Sequence, residues 1–221
     1  MESIVHAFSS GGIWMVAILA AHVVTIAIMI DRGVALFVVR TKGQKKLVQE
    51  FENEIKKGQL DKVIAKAKHM ESQPLSAVVQ AGAQAAMDMG GKDEIQAKMD
   101  EVLAHENEAL EKRTGFLSML ANVATLLGLL GTITGMIKSF AAIGNASAME
   151  KASLLSAGIA EAMHATAYGL IVAIPALVAF AILQNRANQL AEDLNQASLK
   201  AFHWLSYSYE SVPSKKPRLN M

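Results

Sequence analysis

The stretch LLGLLGTITGMIKSF at 126–140, followed by GIAEAMHATAYGLIVAIPALVAF at 158–180, decides the fold of this chain. Both stretches are apolar enough to enter a bilayer, where a helix of about 20 residues crosses roughly 30 Å of hydrocarbon. Yet both carry small and polar residues at regular positions, and the second begins beside the carboxylate of Glu161. Polar groups in membrane helices usually face protein or water. The two stretches therefore predict membrane helices with one face turned away from lipid.

In the first of these helices, small and polar side chains recur at spacings of three and four, which predicts a shared helix face. Two roles are open for this face. It can let helices approach closely, as the GxxxG pair Gly131 and Gly135 would, or it can line a hydrated path shared by several subunits. Packing accounts for the glycines better than for the hydroxyls and the amide. The residues of this face are Asn122, Thr125, Gly128, Thr132, Gly135 and Ser139.

The second of these helices repeats the pattern with Thr166, Gly169, Ala173 and Ala176. Glu161 lies five residues before Thr166, which is about 140° around a helix at roughly 100° per residue. We therefore expect Thr166 to face the interior of the path and Glu161 to face its edge or a subunit boundary. Two roles are open for Glu161: a structural group bonded to a neighbouring helix, or a group that exchanges a proton.

The composition favours a membrane protein with a charged helical part in water. Of 221 residues, 52% are hydrophobic and 19% are charged, which is too apolar for an ordinary soluble domain and too charged for a chain lying wholly in lipid. The net charge of +1 indicates no nucleic-acid partner, and the absence of cysteine excludes disulfides and thiolate sites. No nucleophile–base pair, metal-ligand cluster or phosphate loop is visible. The sequence thus predicts no enzyme, metal or cofactor.

Three segments are long enough to span a membrane: 13–30, 116–137 and 162–183. The first lacks the basic residues that precede the apolar core of a secretory signal, which favours a retained helix. The fold class predicted is therefore an all-α integral membrane protein with three transmembrane helices and a helical cytoplasmic domain.

Basic residues beside the spanning segments predict the orientation, because they concentrate on the cytoplasmic side. No Lys or Arg precedes the first segment, so the N-terminus is expected outside and the C-terminus in the cytoplasm. The flanking basic residues are Arg32, Arg40, Lys42, Lys45, Lys46, Lys112, Arg113 and Arg186. The predicted organisation is an outward segment with the first transmembrane helix (1–40), a cytoplasmic helical domain (41–114), the second transmembrane helix (115–143), a periplasmic loop (144–152), the third transmembrane helix (153–185), and a C-terminal cytoplasmic helix and tail (186–221).

The region from 41 to 114 reads as a series of amphipathic helices. In KKLVQEFENEIKK at 45–57, apolar residues recur at helical spacing and Gly58 ends the helix, whereas Pro74 begins another one. The charged segment 92–115 is expected to run straight into the second spanning helix. Packing of these helices on one another is the role predicted for them.

With these residues in place, 126–140 and 158–180 resemble the signature of the MotA/TolQ/ExbB family of proton-channel subunits, and most closely its TolQ/ExbB branch. The resemblance implies a pentameric ring whose second and third helices line a pore. It also implies a single-span partner, similar to ExbD or TolR, that carries the titrating Asp. By position, Thr132 and Thr166 match the pore threonines and Glu161 matches the glutamate of the third helix. The flagellar branch has a fourth span and a larger cytoplasmic domain, which this chain does not match.

The leading functional hypothesis is a ring-forming subunit of an inner-membrane motor driven by the proton motive force. Its expected partners are further copies of itself, the ExbD/TolR-like protein, a TonB/TolA-like protein and the lipid bilayer. The alternative is a structural membrane scaffold that packs through its small-residue faces without conducting ions. The sequence leaves open whether protons or sodium ions pass, and whether import, envelope maintenance or gliding motility is powered.

Overall fold

The computed structural model describes residues 12–39, 44–70, 72–88, 91–144 and 147–207. Within these ranges all regular structure is helical, which confirms the all-α class. The segment before residue 12, the tail from 208 onward, and Arg40 and Lys42 lie outside the described residues.

The described residues form seven α-helices and one π-helical segment, which directly follows the first helix. Their bounds are Gly12–Val34 (α1), Ala35–Val39 (the π-helical segment), Gln44–Lys56 (α2), Leu60–His69 (α3), Pro74–Met87 (α4), Lys92–Glu111 (α5), Thr114–Ile143 (α6) and Ala148–Tyr207 (α7).

Three helical stretches are long and apolar enough to cross a membrane: Ile13–Val39, Lys92–Ile143 and Glu150–Tyr207. The first comprises α1 and the π-helical segment, the second comprises α5 and α6, and the third lies within α7. Each contains one of the segments predicted from the sequence, so the three predicted spans are confirmed by length and composition. The chain divides into two compact units. The membrane-helix unit contains α1, α6 and α7 up to Asn185, and the second unit contains the chain from Leu36 to Glu111 together with α7 from Arg186.

The second unit has an apolar core that follows the amphipathic pattern of the sequence. On α2, the side chains of Leu47, Val48, Phe51 and Ile55 are all buried. The final part of α7 contributes buried residues at spacings of three and four, as expected for one helix face. These residues are Ala187, Leu190, Leu194, Ala197, Ala201 and Leu205.

The expectation that segment 92–115 runs straight into the second span is wrong. Helix α5 ends at Glu111 and α6 begins at Thr114, because Arg113 adopts a left-handed backbone conformation with φ of 66°. Residues other than glycine rarely adopt this backbone conformation. The break frees the carbonyl of Lys112, which accepts a hydrogen bond of 2.9 Å from Nη1 of Arg32.

Helix α7 is longer than the third predicted span. It begins at Ala148, so the predicted connection 144–152 is helical from that residue onward, and it continues through Pro175 to Tyr207. Beyond Pro175 this helix contains neither glycine nor proline, and therefore no local signal ends it at the boundary of the membrane segment.

Candidate functional site

The small-residue faces of α6 and α7 lie against each other and form a close helix–helix contact, which we call the seam. A Cβ atom at Gly128 would lie 3.1 Å from both the carbonyl oxygen of Ala165 and the Cα of Thr166. At Gly169 it would lie 2.7 Å from the carbonyl oxygen of Ala124. The glycines of the seam therefore allow the two backbones to approach closely.

The seam continues toward both ends of α6. Near Ile143, the buried hydroxyl of Ser139 donates a hydrogen bond of 2.8 Å to the carbonyl of Gly135, and Gly158 of α7 lies opposite that hydroxyl. Toward the start of α6, Ala121 packs with Ala173 and Ala176 in a buried cluster. Packing is thus one role of Gly128, Gly135, Ser139, Gly169 and Ala173.

The two threonines that the sequence pattern indicates lie together at the edge of the seam. The hydroxyl of Thr166 donates to the carbonyl of Gly128 at 2.9 Å. The hydroxyl of Thr132 lies 3.3 Å from that carbonyl and 3.4 Å from the carbonyl of Ala162. The hydroxyls of Thr132 and Thr166 are also hydrogen-bonded to each other. Both side chains are half-buried, so the pair joins α6 to α7 while part of it stays accessible.

Asn122 and Thr125 do not share the seam with Gly128, although the spacing predicts one face for all three. Both are exposed, and Thr125 donates to the carbonyl of Ala121 on its own helix at 3.0 Å. The cause is geometric: each three-residue step turns about 60° short of a full circle, so two successive steps separate Asn122 from Gly128 by about 120°. The predicted face is therefore two surfaces, a packed one and an exposed one.

Glu161 belongs to a second group of polar residues, which lies at the end of the seam near Ile143. Its Oε1 is 3.8 Å from Nζ of Lys138, and both residues line a cavity of about 520 Å³ together with Ser139, Gly158 and His164. The Lys138 side chain is 66% exposed, so the ion pair itself adds little stability. Sequence reasoning missed Lys138; its signal was a single cation within an otherwise apolar run.

A contact between α1 and α7 was also missed. Nδ1 of His22 and the hydroxyl of Tyr168 are joined by a hydrogen bond of 3.1 Å, with the two rings edge to face. At the start of α1, Nε1 of Trp14 donates to the hydroxyl of Thr134 on α6 at 2.8 Å. The sequence offered both polar partners of each bond but no periodicity that relates residues on different helices.

Replacing Tyr168 by Phe is expected to lower the free energy of unfolding by about 0.5–1 kcal/mol, because hydrogen bonds between membrane helices contribute amounts of this size. Reversible unfolding of the chain in mixed detergent micelles measures the change. Tyr207→Phe is the matched control, since Tyr207 is 80% exposed. Equal stability of the two variants would show that the bond to His22 contributes nothing.

Comparison with known proteins identifies the family. Residues 70–196, a little over half of the chain, match the MotA/TolQ/ExbB proton channel family. The chain is 39% identical over 95 residues to the Tol-Pal system protein TolQ of Haemophilus influenzae, a match that covers 43% of this chain and 41% of that protein. It is 27% identical over 132 residues to the biopolymer transport protein ExbB of Pseudomonas putida, covering 60% and 40%.

A longer match extends to the biopolymer transport protein ExbB of Salmonella typhimurium, with 27% identity over 176 residues, 76% of this chain and 70% of that protein. The chain spans about two fifths of the length of the TolQ and Pseudomonas ExbB relatives that it matches. The seam and its threonine pair lie inside the matched range. By these matches the chain belongs to the MotA/TolQ/ExbB proton channel family, in its TolQ/ExbB branch.

Proposed function

We propose that this chain is the ring-forming subunit of an inner-membrane motor that uses the proton motive force. The observation that carries the proposal is the Thr132–Thr166 pair, which brings hydroxyls from two membrane helices together at a partly accessible edge. Family membership supports it, since the relatives are named for the Tol-Pal system and for biopolymer transport.

In the proposed assembly, five copies surround the membrane helices of an ExbD/TolR-like single-span partner that carries an Asp. The seam holds α6 and α7 together within each copy, and their accessible edge faces the axis. The exposure of Asn122 and Thr125 supports this arrangement, because polar groups in a membrane helix usually face protein or water. Glu161 is proposed to lie at the rim of the same path, with Lys138 beside it.

The proposed orientation places the N-terminus in the periplasm and the C-terminus and the second unit in the cytoplasm. It rests on the basic residues beside the spans, among them Arg32, Lys112 and Arg186. Moving one charge through the membrane potential yields about 2.3 kcal/mol per 100 mV. The partner, with a TonB/TolA-like protein, would transmit this energy to import or to envelope maintenance.

The proposal predicts that Thr132→Val and Thr166→Val leave the oligomer assembled but lower proton uptake roughly tenfold, because each removes a hydrogen-bonding group worth about 1–1.5 kcal/mol. The measurement is uptake into vesicles that contain the chain and its single-span partner under an imposed potential. Thr25→Val is the control, since the buried hydroxyl of Thr25 donates within α1, to the carbonyl of Ala21 at 2.7 Å. Undiminished proton uptake by both Thr132→Val and Thr166→Val would refute the proposal.

The close glycine contacts favour a second candidate, a scaffold that packs without conducting ions. A side chain at Gly128 or Gly135 would meet the backbone of α7 at 3.1–3.3 Å. The scaffold predicts that Gly128→Leu disrupts assembly whereas Thr132→Val changes nothing. Loss of uptake in an assembled Thr132→Val oligomer therefore separates the two candidates.

A further inference from the structure

Helix α5 and the final part of α7 border a groove on the surface of the second unit, with a volume of about 280 Å³. Its floor is apolar, because Met99 is buried and Phe202 is half-buried there. Leu199 also lines the groove and is 55% exposed. Gln96 and Asp100 add polar groups at the α5 side. An apolar depression with a few polar groups is the usual form of a binding site.

The α5 side of the groove is strongly acidic. Helix α5 carries seven carboxylates and two lysines, a net charge of −5. Asp100 lines the groove, and Asp93 lies seven residues before it, about two helical turns away on the same face. The 186–207 part of α7 carries two basic and two acidic residues and adds no net charge. Clefts lined by charges of one sign attract groups of the opposite sign, so the groove suits a basic, partly apolar segment.

A segment with these properties directly follows α7 in the same chain. Residues 208–221, SYESVPSKKPRLNM, lie outside the described residues, and we call them the basic tail. They carry one acidic side chain, that of Glu210, and three basic ones, a net charge of +2. The apolar side chains of Val212 and Leu219 lie on either side of the basic residues in the sequence. The basic residues are Lys215, Lys216 and Arg218.

The basic tail is long enough to reach the groove. Tyr207, where α7 ends, lies eight residues beyond Leu199, which is a rise of about 12 Å along the helix. Eight more residues lead from Tyr207 to Lys215, and an extended chain of that length covers up to about 26 Å. The tail can therefore return alongside α7 to the groove without any change in the described helices.

We propose that the basic tail binds in the groove between α5 and α7 of its own chain. Its basic side chains lie beside the α5 carboxylates, and its apolar side chains cover the apolar floor. A short tether gives a segment an effective concentration in the millimolar range at a site that it can reach. This favours the groove of the same chain over that of another copy. The binding concerns the second unit alone and does not depend on the proposed motor.

The test uses the full chain in detergent micelles with pairs of introduced cysteines, since the native sequence contains none. Gln96→Cys places a thiol at the groove and Ser214→Cys places one beside Lys215. The matched control combines Ser214→Cys with Lys98→Cys. Residue 98 is also exposed on α5, but it lies about 200° around the helix from residue 96. Because Lys98→Cys removes a positive charge, it would favour approach of the basic tail, which makes this control a stringent one.

Mild oxidation followed by a denaturing gel without reductant measures the rate of disulfide formation and separates bonds within a chain from bonds between chains. An exposed ion pair contributes roughly a factor of two in affinity. With three basic side chains, we expect the Gln96 pair to close within one chain about eightfold faster than the Lys98 pair. The triple variant K215Q/K216Q/R218Q, or salt at about 1 M, should remove this advantage.

A charge reversal on α5 tests the position of the contact. Asp100→Lys should slow closure of the Gln96 pair more than Glu101→Lys does, although both change the charge of α5 equally, because Asp100 lines the groove. Equal closure of the Gln96 and Lys98 pairs, or a rate that the triple variant leaves unchanged, overturns the inference. Disulfides that form only between chains overturn it as well, because a second copy then supplies the segment. None of these outcomes affects the motor, which is tested by proton uptake.

Discussion

Replacing Gly169 by alanine is expected to destabilise the chain by about 1–3 kcal/mol, the usual cost of overfilling a packed contact. The new Cβ would lie 2.7 Å from the carbonyl oxygen of Ala124 and 3.2 Å from the Cα of Gly128. Both are backbone atoms, so no side-chain movement relieves the overlap and α6 must shift away from α7. Unfolding in mixed detergent micelles, followed by circular dichroism, measures the loss.

The matched control is Gly115→Ala, on α6, where among the described residues no atom outside the neighbouring residues and the local helix backbone lies within 4 Å of the new methyl group. Alanine favours a helix over glycine by up to about 1 kcal/mol, so this variant should be as stable as the parent or slightly more so. Equal losses at Gly169 and Gly115 would contradict the seam, since they would show that glycine is not needed for close approach.

The second large effect is expected for Arg32→Ala, which should lower the free energy of unfolding by about 1.5–3 kcal/mol, as is typical of hydrogen bonds that involve charged groups. The side chain is buried, with Nε 3.1 Å from Oδ2 of Asp31 and Nη1 2.9 Å from the carbonyl of Lys112. Its loss leaves both acceptors without these donors at the break between α5 and α6. Thermal unfolding in detergent measures the change.

Arg113→Ala provides the comparison for Arg32, because Arg113 also reaches Asp31 but is half exposed and lies 3.6 Å away. Exposed ion pairs of this kind contribute about 0–1 kcal/mol. Arg32→Lys should also be less stable than the parent chain, because an ammonium group lacks the fixed set of donors of a guanidinium. If Arg32→Ala is as stable as the parent, or if Arg113→Ala lowers the free energy of unfolding more, the buried guanidinium does not stabilise the chain at the break between α5 and α6.

Much of the fold could be predicted because the sequence carries it as periodicity. Apolar length alone locates the three spans, and helical spacing alone places Phe51 and Ile55 on the apolar face of α2, where both are buried. The break at Arg113 could not be predicted in this way. Nothing in the sequence Lys-Arg-Thr-Gly marks a left-handed residue two positions before a glycine, and the tertiary bond from Arg32 contributes to it.

The candidate site was predicted in part. The contact between Thr132 and Thr166 follows from two helix faces that meet, and the spacing of small and polar residues indicates both threonines. The spacing pattern does not show that Gly128 and Asn122 lie on different surfaces of α6. It mixes spacings of three and four residues, and the two rotate in opposite directions around the helix. The bond between His22 and Tyr168 joins residues 146 positions apart, a relation that the pattern of one chain does not encode.

The composition of the seam also affects how readily α6 and α7 associate. Glycine and alanine have no side-chain rotamers to lose, so Gly128, Gly135 and Gly169, packed against Ala162, Ala165 and Ala124, form their contact without any cost in side-chain conformational entropy. Each leucine or isoleucine in their place would cost about 0.5–1 kcal/mol in lost rotamers. In a bilayer the hydrophobic effect does not drive helices together, and the low ordering cost therefore makes this helix pair a favourable early step of membrane assembly.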